Sequence, residues 1–294
     1  MTLPGPAQAA ALLDRLGLAE ADRAAMLAAR PSPAGTPFQW WRLERARRQL
    51  VTGLGQLDGW LHWPPLRAPY LYPWALLGAL PEVLDYHAGL GIPAEVSWAT
   101  FADLGRHLAL GRRVTGRPGL LSPGWLTPHF RGVLFHLGRL QYLRVGDVAR
   151  LWHDTDLTGP ALDIHIPATG PLRPPVVDAS LDHATAFFRK HFPDTAYRYA
   201  WCNSWLLDPQ LAGYLSAGAN IVAFQRRFRL LPPEPEQPDD DLAVLEFVFL
   251  RERKPLHPGE LDRLPQETAL QRAIVTHLRA GRHWYFRPGW LALS

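Results

Sequence analysis

One change of period governs how this chain can fold. Before Phe135, apolar residues recur every three or four positions. From His136 onward they alternate with polar ones. The first spacing buries one stripe of a helix, and the second buries one face of a strand. In the front part, Ala9, Leu12, Leu13 and Leu16 share a face before Gly17, and Leu43, Ala46 and Leu50 share another. Trp74, Leu77 and Leu80, then Val83, Leu84 and His87, predict two helices broken at Pro81. Ser97 and Thr100 stand where caps would stand before Phe101, Leu104 and Leu108.

In the back part, Leu140, Tyr142 and Val145 alternate with Gln141 and Arg144, and Leu162, Ile164 and Ile166 with Asp163 and His165. Leu181, Ala184 and Phe188 follow at helical spacing, with Asp178 or Ser180 available as a cap. Residues 197–207 read as a buried strand, and Asp208-Pro209 opens a short helix. Residues 221–230, 243–250 and 284–293 read as further strands, and the Pro/acidic stretch 231–241 as a mobile loop. Thr268 and Gln271 form a capping box for a helix carrying Leu270, Ile274 and Leu278. The expected class is α+β: a helical domain over 1–135 followed by a mixed α/β domain over 136–294.

Composition removes several function classes. The single cysteine, Cys202, permits neither an internal disulfide nor a cysteine-rich zinc site. Arg42, Arg45, Arg47 and Arg48 lie beside Trp40 and Trp41, but they spread round a helix and Glu44 interrupts them. The net charge of +4 therefore gives no reason to expect nucleic acid. No apolar run is long enough to span a bilayer, and the start lacks a signal-peptide layout, so no membrane partner and a cytoplasmic location are expected. A hydrolase elbow Gly-x-Ser-x-Gly is missing. A metal site could draw only on His153, Asp154, Asp163 and His165, with no paired-histidine spacing, so no metal is expected.

His165 is the best general base, since an imidazole exchanges protons near neutrality and alternation turns it away from Ile164 and Ile166. The other reading is a structural histidine bonded to the Gly170 turn. Ser204 and Asn220 could donate to an oxyanion or cap strand ends. Glu246 could serve as a carboxylate base or face water.

An ordered set of short motifs runs along the chain. It includes Trp40-Trp41-Arg42-Leu43-Glu44-Arg45, Val96-Ser97-Trp98-Ala99-Thr100 and Asp103-Leu104-Gly105-Arg106-His107. It continues with Leu137-Gly138-Arg139-Leu140-Gln141, His165-Ile166-Pro167, Ser204-Trp205-Leu206-Leu207-Asp208-Pro209 and Thr268 with Leu270-Gln271-Arg272. With these the chain resembles a bacterial family of two-domain acyltransferases, with an N-acyltransferase-type N-terminal domain and a GNAT-like C-terminal domain. The resemblance implies an acyl-coenzyme A co-substrate, a small-molecule amine acceptor and direct attack of the amine on the thioester. It also implies a pantetheine slot at a splayed strand pair and a pyrophosphate site at the following helix. Laid on this sequence, that unit is strand 197–207, the helix at Asp208 and strand 220–230. Trp205, Leu206, Leu207 and Asn220 then line the slot, and Arg226 or Arg227 meets the phosphates. The glycine-rich phosphate loop of such enzymes is missing at Ser204-Trp205-Leu206-Leu207-Asp208. A catalytically silent GNAT-like fold that binds a small molecule or protein is the alternative.

Overall fold

A computed structural model describes residues 2–57, 60–64, 66–150, 157–231 and 240–293. The chain divides into two compact units, Met1–Leu137 and Gly138–Ser294. The α+β class holds: a helical unit precedes one built on a mixed sheet. Stretch 232–239, most of the expected loop, and His153 and Asp154 lie outside the described residues.

The first unit contains α1 (Pro6–Arg15), α2 (Glu20–Ala28), α3 (Pro37–Thr52), α4 (Leu71–Gly89), α5 (Ala94–Phe101), α6 (Asp103–Thr115), α7 (Thr127–Phe130) and a short strand, β1 (Leu134–Leu137). Contrary to the sequence reading, α4 runs unbroken through Pro81. A proline inside a helix costs about 3 kcal/mol, through a lost N–H and a clash one turn back. Two things offset that here. The first ten residues of α4 are all buried. Arg47 spans the proline: its Nε donates to Gly78 O at 2.7 Å, and its guanidinium pairs with Glu82. Ser97 and Thr100 are not caps but lie inside α5. Thr100 Oγ1 accepts from the His136 N–H at 3.0 Å, and Ser97 Oγ bonds His87 Nδ1 at 2.8 Å.

The second unit contains β2 (Leu140–Val145), β3 (Ala161–His165), α8 (Pro174–His191), β4 (Tyr199–Ser204), α9 (Asn220–Gln225), β5 (Arg229–Leu230), α10 (Asp240–Phe249), α11 (Ala269–Arg279) and β6 (Arg287–Ala292). Its strands lie in the order β2-β3-β4-β6-β5. Neighbours run antiparallel except β3 and β4, which are parallel and joined by the α8 crossover. Asp178 and Ser180 lie within α8 and cap nothing. Ser180 Oγ instead accepts the Leu140 N–H at 3.1 Å and bonds the Tyr142 hydroxyl, fixing α8 to β2. The capping box at Thr268 is present in full.

Two expected strands are helices. Residues 220–225 form α9, with only Arg229–Leu230 extended beyond it, and residues 240–249 form α10. Both are short apolar runs, in which periodicity does not separate a buried helix from a strand. The deciding groups are acidic and distant in sequence. Asp240 Oδ2 accepts the Phe286 N–H at 3.0 Å, and Asp241 Oδ1 the Trp284 N–H at 2.8 Å, so the start of α10 holds the approach to β6. Asp208, fully buried, completes the set by accepting the Tyr285 N–H at 3.0 Å.

Candidate active site

Register fixes which side chains share a face of the sheet. Across β2 and β3, Gln141 pairs with His165 and Leu143 with Asp163; across β3 and β4, Asp163 pairs with Trp201. Alternation therefore puts Gln141, Asp163, His165, Trp201 and Asn203 on one face. The opposite face carries Tyr142, Ile164, Ala200, Cys202 and Ser204, and α8 covers part of it through Ser180 and Phe188. His165 stands at the carboxyl end of β3, its Nε2 3.3 Å from Asp163 Oδ2. Both side chains keep some access to solvent, at 21% for His165 and 15% for Asp163. A carboxylate so placed can orient an imidazole and stabilise its protonated form.

The parallel pair comes apart at this place. Its ladder runs from Ala161↔Tyr199 to Asp163↔Trp201 and stops. Beyond it, His165 remains paired to β2, while Cys202, Asn203 and Ser204 pair with Gly289, Pro288 and Arg287 of β6. The facing edges at 164–165 and 202–204 thus diverge, each held by its other neighbour.

The turn from β3 into α8 is held from outside. Arg139 donates to Pro167 O at 2.9 Å, Gly170 O at 2.6 Å and Pro171 O at 3.3 Å. Burial lowers the pKa of this guanidinium. Gly170 has φ +140, a backbone state that suits glycine. Pro174 and Pro175 bring no N–H to the first turn of α8, and the Val176 and Val177 N–H groups both return to Arg173 O at 3.1 Å. An anion at this helix start would therefore depend on guanidinium groups more than on backbone donors. Arg173 is exposed there, and Arg227 reaches Pro174 O at 3.4 Å and Asp178 at 2.6 Å.

The other residues named from the sequence lie elsewhere. Ser204 Oγ accepts the Leu206 N–H at 3.1 Å, ending β4 on the face opposite His165. Trp205 and Leu207 are buried, Trp205 packing beside Val222 of α9, and Leu206 is half-buried. Asn220 opens α9 instead of a strand, so no strand pair 197–207/220–230 exists: β6 stands between β4 and β5. Arg226 is exposed beyond α9. Glu246 sits on α10, not on a strand, and pairs with Arg253 at 2.5 Å. Cys202 is sealed in the sheet, where burial pushes its thiol pKa well up. Among the described residues no group of three His, Cys, Asp or Glu could hold a metal ion. Nor is any described helix long and apolar enough to cross a membrane.

The parallel pair is β3 and β4 and not the strands expected from sequence, because strand order is not a local property. The signal that could have found it was the segment order strand 161–165, helix 174–191, strand 199–204, the usual layout of a parallel crossover.

Comparison with known proteins places these features in a family. Residues 7–132 match the N-acyltransferase N-terminal domain, and residues 134–291 the GNAT-like C-terminal domain. Among solved structures, an acyltransferase in complex with decanoyl-CoA and teicoplanin is 40% identical, with a TM-score of 0.90, over 100% of this chain and 90% of that one. A mutant acyltransferase in complex with octanoyl-CoA is 39% identical, with the same TM-score and coverage. An acyltransferase in complex with CoA and 10C-teicoplanin is also 39% identical. No curated protein matches.

Proposed function

This chain belongs to the family that joins an N-acyltransferase N-terminal domain to a GNAT-like C-terminal domain, and from it we propose an acyl-CoA-dependent N-acyltransferase acting on a small-molecule amine. The observation that carries the proposal is the parting of β3 and β4 beyond Asp163↔Trp201, with His165 at the mouth of the gap. A pantetheine arm carries amide groups that can bond to backbone on the two diverging strands there. The phosphates fall toward the start of α8, where Arg173 and Arg227 stand. The solved relatives support this reading, since they are complexes with octanoyl-CoA, decanoyl-CoA and CoA, two of them also with a glycopeptide.

The chemistry follows from the groups at the gap. The acceptor nitrogen must be neutral to attack the thioester carbonyl carbon. His165 takes its proton, and Asp163 steadies the imidazolium that results. The C–N bond forms, the C–S bond breaks, and the proton ends on the departing sulfur, giving an amide and free coenzyme A. Ser204 and Glu246 have no part in this scheme, being committed to a turn and to Arg253.

The test is a melting curve in rising octanoyl-CoA, decanoyl-CoA or CoA, joined to thiol release with teicoplanin or a simple amine as acceptor. Ligand at 100 times its Kd should stabilise the fold by about 2.7 kcal/mol. A second reading, a silent binding module, draws on the donor-poor start of α8. It would be preferred if neither CoA nor its thioesters moved the melting temperature.

A further inference from the structure

We propose that Gln141 is a catalytic residue of this site, donating a side-chain N–H to the carbonyl oxygen of the acyl group as that oxygen gains charge. The proposal rests on the acyl-CoA reading above and adds a group which that reading does not use. Gln141 is the direct cross-strand partner of His165. Opposed side chains of an antiparallel pair have Cβ atoms about 5 Å apart, so both reach the same ligand atom group.

Burial makes the residue unusual. Gln141 is 1% exposed and flanked by Leu140 and Tyr142, both fully buried. Its side-chain nitrogen is enclosed and, among the described residues, has no hydrogen-bond partner. A leucine or methionine would fill that volume without leaving a polar group unpaired, and an unpaired buried amide is costly to hold. A bound substrate would supply the missing partner.

The chemistry specifies which substrate atom fits. Of the polar side chains beside it on β3, His165 takes the amine proton in the proposed scheme and Asp163 is the carboxylate that steadies the imidazolium. Amine attack pushes the carbonyl electron pair onto oxygen, and the intermediate collapses when that pair returns and expels the thiolate. An oxyanion calls for a donor fixed in place beforehand in a site shielded from water. Gln141 is a neutral donor of that kind, one strand away from the base.

The test compares Gln141→Met with the parent enzyme. Replacement should lower kcat about 100- to 1,000-fold, leave KM for acyl-CoA little changed, and hold or raise the melting temperature because an unpaired amide is removed. The pH profile should keep its limb, since glutamine does not titrate. A second measurement needs no variant: the thioester C=O stretch of carbonyl-labelled octanoyl-CoA should fall in frequency on binding to the parent enzyme. Retained kcat in Gln141→Met, or a fall in melting temperature that accounts for the lost activity, overturns the assignment, as does an unshifted stretch. If the parent enzyme neither binds nor consumes acyl-CoA, the functional reading fails and takes this one with it.

Discussion

His165 and Asp163 lie two positions apart on β3, so strand alternation alone sets them side by side at 3.3 Å. His165→Ala should lower turnover about 100- to 10,000-fold while leaving the melting temperature close to that of the parent. Single-turnover kinetics beside a melting curve check this, and lost stability with full activity would restore the structural role. Asp208 makes the opposite case. Its carboxylate, fully buried, accepts from Gln210 N and Gln210 Nε2 at 3.0 Å as well as from Tyr285 N. Asp208→Ala should cost about 3 kcal/mol in a urea titration, through a lost cap and orphaned N–H groups. The rate per folded molecule should stay the same. Both residues stood out in the sequence, His165 by alternation and Asp208 by the proline after it. Gln141 did not, because nothing local distinguishes a strand glutamine facing water from one sealed beside a base.

At the scale of elements, the start of α8 is where this chain departs most from a glycine-rich anion cradle. Two prolines remove donors, and Arg139 ties down the carbonyls of the turn instead. Arg173 is left as an exposed cation at that helix start. Arg173→Ala should raise KM for acyl-CoA about tenfold with kcat unchanged, the signature of a contact made equally in ground and transition states. A variant whose kcat falls with KM constant would show that Arg173 acts elsewhere. Elements with local signals were legible: the capping box of α11, the amphipathic stripe of α3 and the alternation of β2 and β3 all lie in single windows of sequence. The helices α9 and α10 were not, since their identity depends on packing beside Trp205 and on aspartates bonding a segment some forty residues away. Pro81 reads locally as a helix breaker for the same reason. The offsetting groups, Arg47 and a fully buried first half of the helix, belong to the fold rather than to the local run.

At the scale of the whole molecule, acid should act through a buried ring in the first unit. Burial lowers the pKa of the His87 imidazole from 6.5 to about 4. The unfolded chain then takes up the proton first as pH falls. This share of stability is complete above about pH 6.5 and drains away toward pH 4, amounting to roughly 2 kcal/mol between about pH 7 and about pH 5. Urea midpoints across that range should fall, and His87→Gln should flatten the slope; an equal slope in both proteins would exclude His87 as the cause. The sheet of the second unit carries a different consequence. β6 lies between β4 and β5 yet follows both in the chain. A nascent polypeptide leaving the ribosome therefore holds β4 with one naked edge until β6 is made. That edge lies on the far side of β4 from the gap beside His165, but residues 202–204, one wall of that gap, are pinned only when β6 pairs with this edge. Up to that moment it is a patch to which chaperones, or another unfinished copy, could add a strand.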